Sequence, residues 1–207
     1  MNNLKTAKQN SFAEVIESSL YNFKAQSWQW DNFPAFGSLV TIKTKERTTF
    51  GIVYAVQTGS PDPGRYPFTY KKTEEELKAE QPQIFEFLTT TFTCLTVGFY
   101  ENNKIIYQIA PTPPKMHAFV HHSTLTEIQL FFTSCSYLHL IFSSSHPGSI
   151  DELLLAILRV QAEQSLLTKE SFFEFVDTLY LIIGDDYRRL KIFMNRAQSL
   201  TQTFKTF

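Results

Sequence analysis

The hydrophobic period of this chain changes once, near residues 121–124, and that change requires a β-rich part followed by an α-helical part. Before the change, apolar residues come in short runs rich in Val, Ile, Thr, Phe and Tyr, separated by Pro, Gly and Asn. Such runs suit pleated, half-buried strands, and the breakers mark the turns between them. After the change, Leu125, Ile128, Phe131, Phe132, Cys135, Leu138, Ile141 and Phe142 recur at three- and four-residue steps. That is the spacing of one face of a helix. The stretch YLHLIF at 137–142 also alternates, so a buried strand there is the competing reading.

In the first part, FAEVIESS and LYNFKAQSWQW read as the opening strands. Pro34 and Gly37 punctuate FPAFGSLVTIKTK, where Leu39, Val40 and Ile42 make a strand. Glu46 and Arg47 give a polar turn, and TFGIVYAVQT returns as the other arm of a hairpin. Gly51 inside that arm marks a bulge or a close backbone approach. The connection from 59 to 82 holds prolines that exclude a central strand. Within it, Thr73 followed three residues later by Glu76 is a capping box, so TEEELKAEQ reads as a short surface helix. FEFLTTTFTCLTVGFY reads as one bent strand or two, Asn102–Asn103 as a turn and KIIYQIA as another strand. PTPPK closes the region, and HAFVHH gives a last short strand. Six or seven strands at hairpin spacing fit a small closed β-barrel of the six-stranded type, because closure leaves no exposed edge.

In the second part, Ser149 or Asp151 starts a helix running to Leu166, and Thr168 caps another that Gly184 ends. Asp185 and Asp186 then open a fourth, where acidic side chains favour the helix dipole. The expected fold class is therefore a β-barrel followed by an all-α helical bundle. The expected division is a flexible N-terminus at 1–11, the barrel at 12–121 and the helical domain at 122–207. A fragment ending near His121–Thr124 is expected to keep β-type circular dichroism.

Composition narrows function mainly by exclusion. The formal net charge is −1, without the basic surplus of a general nucleic-acid binder. The twenty Phe supply a tight aromatic core and leave rings for an interface. Cys94 and Cys135 lie in unrelated segments, and buried free thiols in a reducing compartment are expected. Met1–Asn10 is polar, and no run reaches the roughly 18–20 apolar residues of a spanning helix. No secretory signal and no membrane span are expected, with the cytoplasm or an organelle stroma as the location.

No catalytic residue, cofactor or metal emerges. His117, His121 and His122 form a cluster, but neither HExxH nor CxxC accompanies it. On a strand, His117 and His121 would stand about 13 Å apart, too far for a shared ion. No GxSxG elbow is present. Cys135 and His139 are within reach on a helix, yet Cys135 belongs to the apolar stripe and reads as core. YRRLK at 187–191 reads as a solvated face, with Arg188 and Arg189 pairing to acids of a neighbouring helix. The richest candidate is RYPFTYKK, where Arg65, Lys71 and Lys72 interleave with Tyr66, Phe68 and Tyr70. These rings could fold back onto the barrel, anchor a protein partner or stack on the bases of a nucleic acid.

FPAFGSLV, GIVYAV, the long loop, LTVGFY and PTPPKMHAFV together resemble the HerA–ATP synthase barrel, or HAS barrel, over roughly residues 12–121. In that family the small barrel forms the N-terminal collar of DNA translocases and of the catalytic-head subunits of ATP synthase. With TGSPDPGRYPF and QPQIFEFL, the chain is most similar to stand-alone members of cyanobacterial type. The ATPases follow the barrel with a RecA-like domain carrying GxxxxGK[ST]. This chain has no Gly-Lys pair, and residues 122–207 are too few for such a domain. The resemblance thus implies a non-enzymatic protein-binding, scaffold or assembly module without the ATPase engine. It implies a protein partner and is compatible with a homo-oligomer. The alternative is a nucleic-acid accessory protein that recruits or loads a HerA-like translocase.

Overall fold

The β-branched and aromatic runs become seven strands in the computed structural model, which describes residues 10–60, 62, 68–145 and 148–201. They are β1 (Ser11–Ser18), β2 (Asn22–Ser27), β3 (Leu39–Lys43), β4 (Thr48–Gly59), β5 (Thr89–Glu101), β6 (Lys104–Ile106) and β7 (Phe119–His122). Their order is β2-β1-β7-β3-β4-β5-β6, and β5 also pairs back with β2. Six antiparallel strands therefore close a barrel, and β6 is a further strand on the far end of β5. Asn102 and Asn103, both at positive φ, make the β5–β6 turn anticipated from their sequence.

Alternation along the strands sorts side chains into two buried clusters. The lumen holds Phe12, Phe23, Val40, Ile42, Val53, Phe92 and Val120, with Ala13 and Ala25 where larger groups would crowd. Gly51 is part of this fit, since a Cβ there would lie 2.7 Å from the Phe23 ring. The β4–β5 register shifts between Phe50 and Gly51, so the glycine also marks the expected bulge. The outward residues Leu39, Phe50, Ile52, Leu95 and Val97 belong to the second cluster, which they share with the helices.

Two helices interrupt the barrel sequence, α1 (Glu74–Glu80) and α2 (Gln83–Glu86). Five follow it: α3 (Leu125–Phe131), α4 (Tyr137–Ser143), α5 (Ile150–Glu163), α6 (Lys169–Ile183) and α7 (Tyr187–Thr201). Thr73, Thr124 and Thr168 complete capping boxes, and the Ser149 hydroxyl accepts from the Glu152 amide. Each cap satisfies amides that a first helical turn leaves unpaired. Phe131 and Tyr137 bring α3 and α4 onto the outer barrel face, with the Phe131 ring 4.9 Å from that of Phe50. Gly37, at φ +86°, lets its turn lie directly on α5, because a Cβ there would meet Ala156 at 2.7 Å. Arg189 binds Asp151 through Nη2 at 2.7 Å and Nε at 3.1 Å, fastening α7 to α5 as the sequence anticipated.

Several boundaries differ from the sequence reading. The helical stripe from 125 to 142 is two helices rather than one. Between them, the Thr133 hydroxyl donates to the Gln129 carbonyl, and the Ser136 amide donates to the Ser134 hydroxyl. Such local bonds compete with helix continuation. Residues 137–142 are helical, not a strand. FEFL does not join the long strand: residues 83–86 form α2, and β5 begins at Thr89. Only 104–106 of KIIYQIA is strand, and the helix opened by Ser149 ends at Glu163. SWQW lies partly outside its strand, because β2 stops at Ser27.

Candidate functional site

Where β2 and β4 end and β5 begins, the barrel carries an aromatic rim. Gln26 pairs with Thr91, and Gly59 pairs with Thr89, which sets these termini side by side. The chain leaving β2 carries Trp28 and Trp30. The Thr90 hydroxyl donates to the Trp30 carbonyl and fixes its height above the sheet. The Trp30 ring stacks on Phe85 of α2 at 5.5 Å, and Lys78 of α1 lies 5.6 Å from the Phe85 centroid. Trp28 meets Phe119 edge-on at 5.6 Å. These contacts hold the rim together but leave much of it in water: Trp28 is 43% exposed, Phe33 42% and Phe87 47%.

The long connection leaves β4 at this end and returns through α1. Within it, Phe68 is 68% exposed, and its ring lies 4.4 Å from that of Tyr70. Tyr70 is half-buried, while Lys71 and Lys72 are exposed. Phe68 is therefore not folded into the core. Lys71 occupies the left-handed region at φ 55°, and Lys72 pairs with Glu80. Arg65 and Tyr66 lie outside the described residues. Between 71 and 80, the four glutamates Glu74, Glu75, Glu76 and Glu80 outnumber Lys71, Lys72 and Lys78, so the segment has no cationic surplus. The sequence reading missed Trp28, Phe33 and Phe87. The Asp31-Asn32 pair before Pro34, a turn signal, could have moved Trp28 and Phe33 out of a strand.

The remaining chemical candidates do not converge. His117 Nδ1 lies 2.6 Å from Glu14 Oε1 at the surface, whereas His121 is buried and His122 stacks on Phe12 at 3.8 Å. Among the described residues, no group of three or more His, Cys, Asp or Glu side chains is placed to hold a metal. Cys94 and Cys135 are buried free thiols. Burial, then the Glu174 charge, pushes the Cys135 thiol up to about 12, and burial raises Cys94 well above its ordinary value. Both shifts favour the protonated thiol over the thiolate a nucleophile needs. His139 is exposed while Cys135 is buried, which separates the environments of that pair.

Compared with known proteins, the chain matches no family model and no curated sequence. Among the described residues, no helix is long and apolar enough to cross a membrane.

Proposed function

We propose that this chain is a non-enzymatic scaffold or assembly module built on a HAS-like barrel, and that it binds a protein partner through the aromatic rim and the adjoining loop. The observation that carries this reading is the exposure of Phe68 in the loop, together with the partial exposure of Trp28, Phe33 and Phe87. Large rings left in water next to buried, braced ones are the usual anchors of protein interfaces. The similarity to a family whose barrels pack against neighbours supports the same use, including association with further copies. Buried free thiols suit a reducing location, the cytoplasm or an organelle stroma. The alternative, recruitment of a translocase through nucleic acid, fits less well, because Lys72 is engaged by Glu80 and three glutamates open α1.

The test uses the full chain with Tyr66, Phe68 and Tyr70 changed to Ala. For a binding surface, stability changes by no more than about 0.5 kcal/mol for each exposed position. Recovery of the partner in cross-linked pull-downs is lost. A fall of several kcal/mol with partner recovery intact would assign the rings to the core and remove the proposal. A second variant, with Arg65, Lys71 and Lys72 changed to Ala, should leave that recovery in place if protein rather than nucleic acid is bound.

A further inference from the structure

The opposite end of the barrel differs in chemistry. It is formed by the β3–β4 turn, the β5–β6 turn and the run before β7, as the pairings Lys43–Thr48, Thr48–Tyr100 and Glu101–Lys104 require. Between Thr44–Arg47 and Thr112–Lys115 lies a cavity of about 550 Å³. That volume falls within the range of small-molecule sites, and barrel mouths are common places for them. Ile42 and Thr49 line its inner part, and Pro113 and Pro114 form an apolar wall. Lys45, Arg47 and Lys115 surround it, and Glu46 is the one carboxylate in the lining.

The walls are set in place before any ligand arrives. The Thr44 amide and hydroxyl each donate to the Arg47 carbonyl at 2.9 Å, and the Arg47 amide donates back to the hydroxyl at 3.1 Å. The Ser18 hydroxyl donates to the Pro114 carbonyl at 2.6 Å, tying the facing run to β1. Arg47 is held by Glu101, 3.5 Å from Nε, and by the Phe99 ring, 5.6 Å from the guanidinium carbon. Its Nη1 is buried without a hydrogen-bond partner. Among the described residues, Lys45 and Lys115 form no ion pair, and both are exposed. Lys45 and Lys115, on the two facing runs of this opening, add positive potential there even though the whole chain is near neutral.

We propose that this mouth binds a small organic phosphate, with the anion between Lys45 and Lys115 beside Arg47 and its apolar body against Pro113 and Pro114. Lys45, Arg47 and Lys115 outnumber Glu46 and the Glu101 that holds Arg47, and this net positive charge favours a phosphate dianion over a carboxylate ligand. The apolar wall favours an organic ester over the free ion. This site uses different residues from the aromatic rim and stands or falls independently of it.

The experiment titrates the full chain with phenyl phosphate, inorganic phosphate and benzoate, followed by calorimetry and amide chemical shifts. Phenyl phosphate should saturate, moving the amides of residues 44–47, 112 and 115. It should bind at least about tenfold tighter than either comparison ligand, a difference of about 1.4 kcal/mol. Changing Lys45 and Lys115 to Ala should weaken it by more than about tenfold while leaving the melting temperature in place, and the double change to Glu should abolish it. Absence of saturation up to about 10 mM overturns the site. So does saturation that the double variants leave untouched. Equal binding of inorganic phosphate removes the organic body from the proposal, and equal binding of benzoate removes the phosphate.

Discussion

The lumen of the barrel and its outer face are both buried, but they are buried in different ways. The lumen is finished by the strands alone: six pairings close the ring, and Phe12, Phe23 and Phe92 fill the space left by alanines and Gly51. The outer face depends on residues far along the chain, because Phe50, Ile52 and Leu95 are covered by side chains of the helices. A six-stranded ring is narrow, so its interior tolerates little change in volume. Its exterior carries a large apolar surface that requires a cover. Closure of the strands and completion of the core thus draw on different parts of the chain, and the helices supply the second.

Removing the helices is the strongest way to break this comparison. A fragment ending at Ser123 exposes Leu39, Phe50, Ile52, Leu95 and Val97. At about 1.5–3 kcal/mol for each large side chain, the loss is roughly 8–15 kcal/mol. That is comparable to the roughly 5–15 kcal/mol stability of a typical domain. The expected fragment is aggregated or unfolded, in contrast to the sequence-based expectation that it keeps its β-type circular dichroism. A monomeric fragment by sedimentation, with a cooperative transition, would show that the lumen suffices by itself.

Paired substitutions sharpen the comparison on a smaller scale. Phe131 is fully buried at the seam, with Tyr107 5.4 Å and Tyr137 5.5 Å away by ring centroids. Phe131→Ala should cost about 3–5 kcal/mol in denaturant unfolding. Gly51→Ala tests the lumen, where the added Cβ must displace the buried Phe23 ring. Overpacking there should cost about 1–3 kcal/mol. A neutral Gly51→Ala would mean that the lumen yields more readily than its close contacts imply.

The same distinction explains what could be read in advance. Strands and helix starts were legible where the signal is local. β-branched runs, the Asn102–Asn103 turn and the caps at Thr73, Thr124 and Thr168 are examples. The break between α3 and α4 was not, because helical spacing of apolar residues persists through Thr133–Ser136 while hydroxyls divert the backbone. Phe68 illustrates the limit for the site. Its residue type is the same whether it is core or surface, and only tertiary packing leaves it exposed. Lys45 closes the strand segment FPAFGSLVTIKTK and Lys115 a proline run, far apart in the sequence. Barrel closure is what places them around one cavity.

The smallest expected effect is a pH dependence at the seam itself. His121 is 8% exposed on β7, opposite Thr41 of β3, and near the Lys43–Glu127 ion pair of 2.8 Å. Burial, and then the Lys43 charge, holds its pKa below the usual histidine value, against weaker support from the Asn10 backbone and Glu127. The folded protein therefore favours neutral His121, while the unfolded chain takes up a proton near pH 6.5. The contribution is present above about pH 6.5 and is lost as pH falls through the lower, folded-state value. Glu127 acts in a more acidic window. Burial raises its pKa, but Lys43 and the Thr124 donors outweigh burial and set it below the usual carboxylate value. His122 is also lowered by desolvation; it rests against Phe12 but is exposed, so its share is discounted. Melting temperatures compared at about pH 7.5 and about pH 5.5 should fall on acidification in the native chain. His121→Gln should reduce that fall more than His122→Gln does. An identical fall in the His121 variant would mean that protonation is accommodated at the seam, and that the barrel and its helical cover separate there more easily than their shared core indicates.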